Sequence, residues 1–240
     1  MKKLVILPTY NEKENLAQIV AMVLAVDSSF EVLIVDDHSP DGTGEIADLL
    51  ASSETRVHVL HREKKLGLGT AYLEGFRFAL DRNFDLIFEM DADFSHNPEY
   101  LPDFVEASRT FDLVIGSRYL QGVNVINWPL SRLLLSYGAN MYVRLVTGLG
   151  LRDATSGFRC FRREVLEEID LHKISSEGYA FQIELAYICW RKGFAVGEIP
   201  IVFVERRAGK TKMSRRVIAE AVWIVWKLKL LNLFGLYRRK

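Results

Sequence analysis

The sequence predicts an α/β fold, a mostly parallel sheet with helices on both faces, and three observations carry that expectation. Short apolar runs alternate with stretches of helical periodicity, and the runs are apolar on both faces, as strands covered from two sides must be. The polar, turn-forming clusters fall after the runs, on the edge where sheets of this kind place their ligands. With 240 residues, 49% of them hydrophobic, the chain can bury a full core and fits one large α/β domain better than two independent ones.

Taken in order, Leu4-Val5-Ile6-Leu7 reads as a buried strand that stops at the polar loop Pro8-Thr9-Tyr10-Asn11-Glu12. Leu16, Ile19, Val20 and Val23 then recur on one helical face. Glu31-Val32-Leu33-Ile34-Val35 follows as a second strand, ending in Asp36-Asp37-His38-Ser39-Pro40-Asp41-Gly42 and completing a βαβ unit. A third strand near Arg56 to Leu60 leads to Gly67-Leu68-Gly69 and a helix facing inward through Leu73, Phe76 and Leu80. The run Leu86-Ile87-Phe88-Glu89-Met90 is a strand that delivers Asp91-Ala92-Asp93, and Leu113-Val114-Ile115 another that delivers Gly116-Ser117-Arg118. Trp128-Pro129-Leu130 opens a helix with an apolar face through Leu133, Leu134, Tyr137, Met141 and Leu145, and a further helix runs through Tyr179-Ala180-Phe181-Gln182-Ile183-Glu184.

Two carboxylates one residue apart at a strand end are hard oxygen ligands suited to a divalent cation, and such cations in enzymes commonly hold nucleotide phosphates. A solvated acidic turn is the ordinary alternative. Polar clusters after strands one, two and four, all on one edge, favour the ligand site.

Bulk properties narrow the field. A formal net charge of zero argues against a duplex nucleic-acid binder. Cys160 and Cys189, with no Cys-x-x-Cys and no zinc spacing, suit a reducing compartment. The chain enters its first strand at once, so no signal peptide is expected and the location is read as cytoplasmic. From Glu205 onward eleven Lys and Arg face only Glu205 and Glu220, so residues 213–240 read as a basic amphipathic helical tail on a catalytic domain of residues 1–212. Glu220, Lys227 and Lys229 interrupt the apolar stretch Val217 to Phe234, and central charges cost a spanning helix about 3 kcal/mol each, so no transmembrane span is expected. Trp223, Trp226 and Phe234 beside Lys and Arg suit a membrane interface, and equally an amphipathic helix packed on the core.

Gly209-Lys210-Thr211 lacks the glycine a P-loop requires, since that position is Val204. Gly67-x-Gly69 follows the third strand and has Tyr72 where a dinucleotide fingerprint has glycine; beside Lys65 it is either a phosphate-facing loop or a plain turn. His96 stands near the Asp pair and is not assigned to a metal.

Six motifs occur in register across most of the chain: Pro8-Thr9-Tyr10-Asn11-Glu12, Val35 to Thr43, Asp91 to Pro98, Gly116-Ser117-Arg118-Tyr119, Asp153-Ala154-Thr155-Ser156-Gly157-Phe158-Arg159, and Glu205 to Lys212. Together they resemble the family 2 glycosyltransferases of the GT-A (Rossmann-like) fold, and most closely the dolichol-phosphate (polyprenol-phosphate) mannose synthases. The resemblance implies inverting transfer of mannose from GDP-mannose to a polyprenyl monophosphate. It implies donor contacts at Pro8, Tyr10, Glu12, Val35 and Asp37, and at Asp91, Ala92 and Asp93, with Asp91 and Asp93 carrying Mg²⁺ or Mn²⁺. A Gln that assists the metal in some members is Ser95 here. Arg118 and Arg132 correspond to acceptor-phosphate grips, Arg206 and Lys212 to a loop over the donor diphosphate, and Gln182 to a position near the sugar. Asp93, Arg118, Arg132, Arg206 and Lys212 are thus the candidate catalytic residues.

The chemistry agrees with that assignment. A departing diphosphate gains negative charge, which a metal and the cations Arg206 and Lys212 would stabilise. A phosphate monoester, with a second pKa of about 6, needs no general base at neutral pH, but it must be held against an anionic donor, a task for an arginine fork. The helix after Trp128 would then receive isoprene units or pack on the core, and the tail would dock on a membrane as a peripheral contact, with or without a membrane-protein partner. Two rivals stand beside this reading: transfer of glucose or another sugar from a UDP-sugar to the same lipid phosphate, and a non-catalytic protein that binds nucleotide sugars.

Overall fold

The computed structural model describes residues 1–174, 176–205 and 215–233. The amino-terminal half alternates as read: β1 (Lys3–Thr9), α1 (Leu16–Leu24), β2 (Phe30–Asp36), α2 (Thr43–Ser53), β3 (Val57–His61), α3 (Leu68–Asp81) and β4 (Leu86–Glu89). After α4 (Leu101–Ala107) come β5 (Leu113–Ser117), the short β6 (Val125–Ile126) and the long α5 (Leu130–Thr147). β7 (Arg159–Arg162), α6 (Arg163–Glu168), α7 (Gly178–Arg191), β8 (Val196–Pro200), β9 (Phe203–Val204) and α8 (Arg215–Leu233) complete it.

Seven strands form the main sheet in the order β3-β2-β1-β4-β7-β5-β8. Every neighbouring pair is parallel except those of β7, which runs against both β4 and β5. Period-two alternation sorts β1 between two cores: Leu4 and Ile6 join one face, Val5 and Leu7 the other. Helices α1 and α4 cover the second face through Leu16, Ile19, Val20, Val23, Leu101 and Phe104. Helices α3 and α7 cover the first, and Ile224, Val225 and Leu228 of α8 pack into the same core. α3 seats closely on β1 because residue 75 is glycine; a Cβ there would lie 2.8 Å from Ile6 side-chain carbons. Gly67 opens that helix with φ +105°, a left-handed geometry for which glycine carries no Cβ penalty.

The winding reverses between β1 and β4, so the ends of β2, β1 and β4 stand side by side at the switch point. Those three ends carry Asp37, the Pro8–Glu12 loop and the Asp91–Asp93 turn. β4 stops at Glu89, one residue short of the run read from the sequence. The expected apolar face of α5 points outward: Leu134, Tyr137, Met141 and Leu145 are more than half exposed, and only Asn140 and Val143 of that helix are buried. Of the two readings of α8, core packing holds for Ile224, Val225 and Leu228, while Trp223, Trp226 and Leu230 are exposed and Phe234 lies outside the described residues. No described helix is long and apolar enough to cross a membrane.

Candidate functional site

The loops after β1 and β2 are stitched into one surface. Thr9 Oγ1 donates to Asp36 Oδ1 (2.9 Å), the Asp37 amide to the Thr9 carbonyl (3.0 Å), the Asn11 amide to Ser39 Oγ (3.1 Å) and the Glu12 amide to Thr43 Oγ1 (3.0 Å). Asn11 and His38 adopt positive φ of 64° and 56° there, a conformation Asn and His tolerate better than most residues. Asp37, the candidate nucleoside contact, is buried and accepts from Arg62 Nη1 at 2.5 Å; Arg62 is anchored by the Gly67 carbonyl and Thr70. Pro8, Tyr10 and Glu12 are partly accessible, whereas Val35 is fully buried with its side chain in the core. Lys65 lies 3.4 Å from the centre of the Tyr10 ring. Its neighbouring glycine loop is not open to a phosphate, because the Gly69 amide donates to Glu177 Oε2 at 3.0 Å and a carboxylate already sits on the start of α3.

At the end of β4, Ala92 is buried in the core below, so Asp91 and Asp93 on either side of it share the upper surface. Phe94 takes φ 63° and the Ser95 amide donates to Asp93 Oδ1 at 3.0 Å, tightening the turn. The Asp91 amide donates to His96 Nδ1 at 3.0 Å. Because Nδ1 accepts, the imidazole proton is assigned to Nε2. Burial pushes this imidazole down to about 4, Asp93 opposing and Arg118 adding to the shift, so the ring is neutral at physiological pH. Phe158 stacks on it (5.0 Å, 20°) and Phe203 meets it edge-on.

Behind the turn lies a fully buried polar cluster. Burial raises the Glu89 carboxyl to about 7, against the opposing pull of Arg159 and of the nearby Gln182 amide. Arg159 donates to the carbonyls of Ser156, Gln182 and Ala154. Tyr72 Oη, both Glu89 oxygens and both polar atoms of the Gln182 side chain are buried without a hydrogen bond of good geometry among the described residues. Gln182 therefore stands beneath the pocket and not in its wall.

Asp91, Asp93, His96, Arg118, Arg132 and Glu205 are among the residues that line one polar pocket of about 70 Å³. Arg118 enters it as part of a buried lattice: Nε and Nη2 grip Asp153 at 2.6 and 2.7 Å, and Nη2 also reaches Thr155 at 2.9 Å. Burial alone would raise the Asp153 carboxyl, but the adjoining Arg118 guanidinium outweighs it and keeps the carboxyl low. The fork expected to hold a phosphate is thus committed to Asp153, and Nη1 carries none of these bonds. Arg132, from the first turn of α5, pairs with Glu205 and lies over the Trp128 ring at 4.1 Å.

A second, apolar cavity of about 270 Å³ opens beside the first, between α5, α7 and α8. Leu134, Leu135, Tyr142, Val143, Ile183 and Val222 are among its walls. Arg132, Thr155 and Tyr179 line both spaces, so a cation stands where the polar and apolar cavities meet.

The structure thus gathers Asp91, Asp93, Arg118 and Arg132 at one pocket, with Tyr10, Glu12 and Asp37 on the loops beside it, while Arg206 and Lys212 lie outside the described residues. Asp153, Glu205, Arg62 and Trp128 carry no role in the sequence reading. Asp153 and Glu205 sat inside quoted motifs, but only the long-range pairings reveal what each one holds.

The described residues contain no group of three His, Cys, Asp or Glu able to enclose a metal. Two carboxylates on one side of a turn fit a Mg²⁺ or Mn²⁺ site of the kind completed by substrate phosphates and water.

Residues 4–170 match Glycosyl transferase family 2. The undecaprenyl-phosphate mannosyltransferase of Micrococcus luteus is 48% identical over 92% of this chain and 91% of its own. The polyprenol monophosphomannose synthase of Mycolicibacterium smegmatis is 51% identical over 93% of this chain and 85% of its own. Among solved structures, glucosyl-3-phosphoglycerate synthase from Mycobacterium tuberculosis, with Mn²⁺, UDP and phosphoglyceric acid, superposes with TM-score 0.69 at 21% identity, covering 93% of this chain and 78% of that one. A mannosyltransferase from Pyrobaculum calidifontis, with GDP-Man and Mn²⁺, gives TM-score 0.57 at 17% identity over 95% and 73%. The switch-point site, the matched pattern and the two half-identical relatives agree: the chain belongs to glycosyl transferase family 2.

Proposed function

We propose that this protein transfers mannose from GDP-mannose to a polyprenyl monophosphate with inversion at the anomeric carbon. The observation that carries the reading is the junction at Arg132: a polar pocket with two aspartates on one side, an apolar cavity on the other, and a cation between them. A lipid phosphate has that same division, headgroup then hydrocarbon. The two relatives with polyprenyl acceptors in their names, half identical over nearly the whole chain, support the acceptor class. The donor reading is supported by the mannosyl transfer their names state and by the GDP-Man complex of the more distant structure.

In this reading the nucleoside lies across the loops of Pro8, Tyr10, Glu12 and Asp37, and the diphosphate points at the end of β4. Asp91 and Asp93 would hold a Mg²⁺ or Mn²⁺, which supplies Lewis-acid relief of the charge growing on the leaving diphosphate. Arg206 and Lys212 are assigned to the same charge. Arg132, with the remaining edge of Arg118, orients the acceptor phosphate. At neutral pH that phosphate is largely dianionic, so one of its oxygens attacks the anomeric carbon directly. The carbon–oxygen bond to the diphosphate breaks, its electron pair leaves with the diphosphate, and no proton moves. His96, neutral and bonded to the Asp91 amide, holds the turn.

The exposed apolar side chains of α5 and of neighbouring α8, with Trp223 and Trp226 among them and Lys227 and Lys229 close by, suit peripheral contact with a bilayer that holds such an acceptor. Purified protein given Mn²⁺, GDP-mannose and a short-chain prenyl phosphate is expected to release GDP and form a mannosyl phosphoprenol, and to do neither with the prenyl alcohol. Turnover with UDP-glucose in place of GDP-mannose would overturn the donor, and no release with any nucleotide sugar would overturn the enzyme.

A further inference from the structure

We infer that Thr155 is a positioning residue for acceptor binding: its hydroxyl, steadied by Asn140 of α5, sets the angle at which Arg118 presents its remaining edge to an acceptor phosphate. The inference rests on the acceptor site proposed above and deepens it.

Thr155 lines both the polar and the apolar cavity, yet its hydroxyl is fully engaged on the protein side. Oγ1 donates to Asp153 Oδ1 at 3.1 Å, and it accepts from Arg118 Nη2 at 2.9 Å and from Asn140 Nδ2 at 3.2 Å. A hydroxyl has one hydrogen and two lone pairs, so these three bonds use all of them. Nothing is left to offer a ligand, and the group acts through what it holds. Arg118, Asn140, Asp153 and Thr155 are all buried, so water does not replace a bond lost among them.

What the hydroxyl holds is the tilt of a guanidinium. Arg118 Nε and Nη2 lie along the two Asp153 oxygens, and the Asp153 backbone is itself fixed, because its amide and that of Arg152 both donate to the Glu198 carboxylate at 2.8 Å. Two parallel bonds to one carboxylate keep the fork in register but allow it to fold about the line joining the oxygens. The third bond, from Nη2 to Thr155, lies off that line and stops the fold. The direction of Nη1, the edge left for a phosphate, is thereby set.

Asn140 extends the lattice to α5. Its amide nitrogen faces three acceptors, the Ser136 carbonyl at 3.0 Å, Asp153 Oδ1 at 3.3 Å and Thr155 Oγ1, which assigns the nitrogen and not the oxygen to that side. Asn140 is also the buried polar residue of α5, whose opposite side exposes Leu134, Tyr137 and Met141. The helix with the outward apolar face is therefore bonded, through one amide and one hydroxyl, to a cation assigned to the acceptor headgroup.

The test compares wild type with Thr155→Val, which keeps the shape and removes the hydroxyl, and Thr155→Ser, which keeps the hydroxyl. Calorimetry on the full chain, with GDP and Mn²⁺ filling the donor side, measures binding of inorganic phosphate and of a short-chain prenyl phosphate, alongside KM for acceptor and donor. A hydrogen bond from a charged donor governs the aim, so Thr155→Val is expected to bind both phosphates about tenfold more weakly and to raise the acceptor KM by a similar factor. Affinity for GDP and the donor KM should hold, and Thr155→Ser should restore phosphate binding. Asn140→Leu, which empties one lone pair of the hydroxyl, should act in the same direction and reads the lattice if Thr155→Val does not fold. Phosphate binding equal to wild type in both Thr155→Val and Asn140→Leu, loss of GDP affinity in step with phosphate, or no rescue by serine would overturn the inference while leaving the acceptor reading in place. Inorganic phosphate weakened by valine and restored by serine, with prenyl phosphate neither bound nor used by wild type, would uphold the aim of Arg118 and defeat the lipid reading instead. Wild type that binds neither phosphate would overturn both.

Discussion

Asp153 is a carboxylate with no exposed surface, ionised because Arg118 grips both of its oxygens. Removing one member of a buried pair leaves the other uncompensated and costs about 3–5 kcal/mol, so Asp153→Asn should lower the urea midpoint by that equivalent while Arg152→Ala, nearby and exposed, should not. Glu89 and His96 make an opposed pair of titrations in the metal-free protein. Glu89, raised from 4.5 to about 7, adds stability that is full below pH 4.5 and lost as pH rises through 7. His96, lowered from 6.5 to about 4, adds stability that is full above pH 6.5 and lost as pH falls through 4. Between 4.5 and 6.5 the two offset each other. Glu89→Gln removes one side, and its unfolding free energy should fall more steeply than that of wild type on acidification through this window; identical slopes in denaturant titrations at several pH values would refute the assignment. The Asp91–Asp93 pair was legible at this scale because a strand end fixes alternate residues on one side. The partners of Arg118 and Arg132 were not, since Arg132 and Glu205 lie 73 residues apart and no local pattern encodes an ion pair of that span.

Among the elements, the parallel strands β1, β2, β4 and β5 announced themselves as runs buried on both faces. β7 did not: it has four residues, with arginine at each end, and neither a run nor an alternation can be read from Arg159-Cys160-Phe161-Arg162. β6 and β9 are two residues each and exist only through pairing with one another. Helices α5 and α8 were legible as amphipathic, but periodicity cannot say which apolar positions meet a core. In α5 most do not, and α8 divides them between core and exterior. If those outward side chains meet lipid, Leu134→Gln in α5 and Trp223→Ser with Trp226→Ser in α8 should each reduce sedimentation with anionic vesicles, by about 1.5–3 kcal/mol per fully buried side chain lost. Melting temperature without vesicles should hold, because these residues stabilise no described core; vesicle binding equal to wild type would sink the idea.

At the scale of the whole molecule, the switch point of the sheet was legible from the order of polar clusters alone, and the proposed function would use that single edge for nucleoside, diphosphate and acceptor. A donor held by loops of β1, β2 and β4 ties the sheet together and binds only the folded state. GDP-mannose with Mn²⁺ at a hundred times its Kd should add about 2.7 kcal/mol, read as a rise in Tm. Asp93→Ala should abolish the metal-dependent part of that rise and the turnover with it, while leaving the ligand-free Tm close to wild type; a full metal response in the variant would remove the site from the β4 turn. The reversed strand has a bearing on how the protein is made. As the chain leaves the ribosome, β1 to β4 are complete well before β7 is synthesised, and any sheet built from those four strands alone would have β4 at its rim. Edges of this kind invite pairing with other nascent chains unless a charge spoils the match. Glu89, the last residue of β4, is a charge of that kind until β7 pairs with β4 and it lies buried beside Arg159.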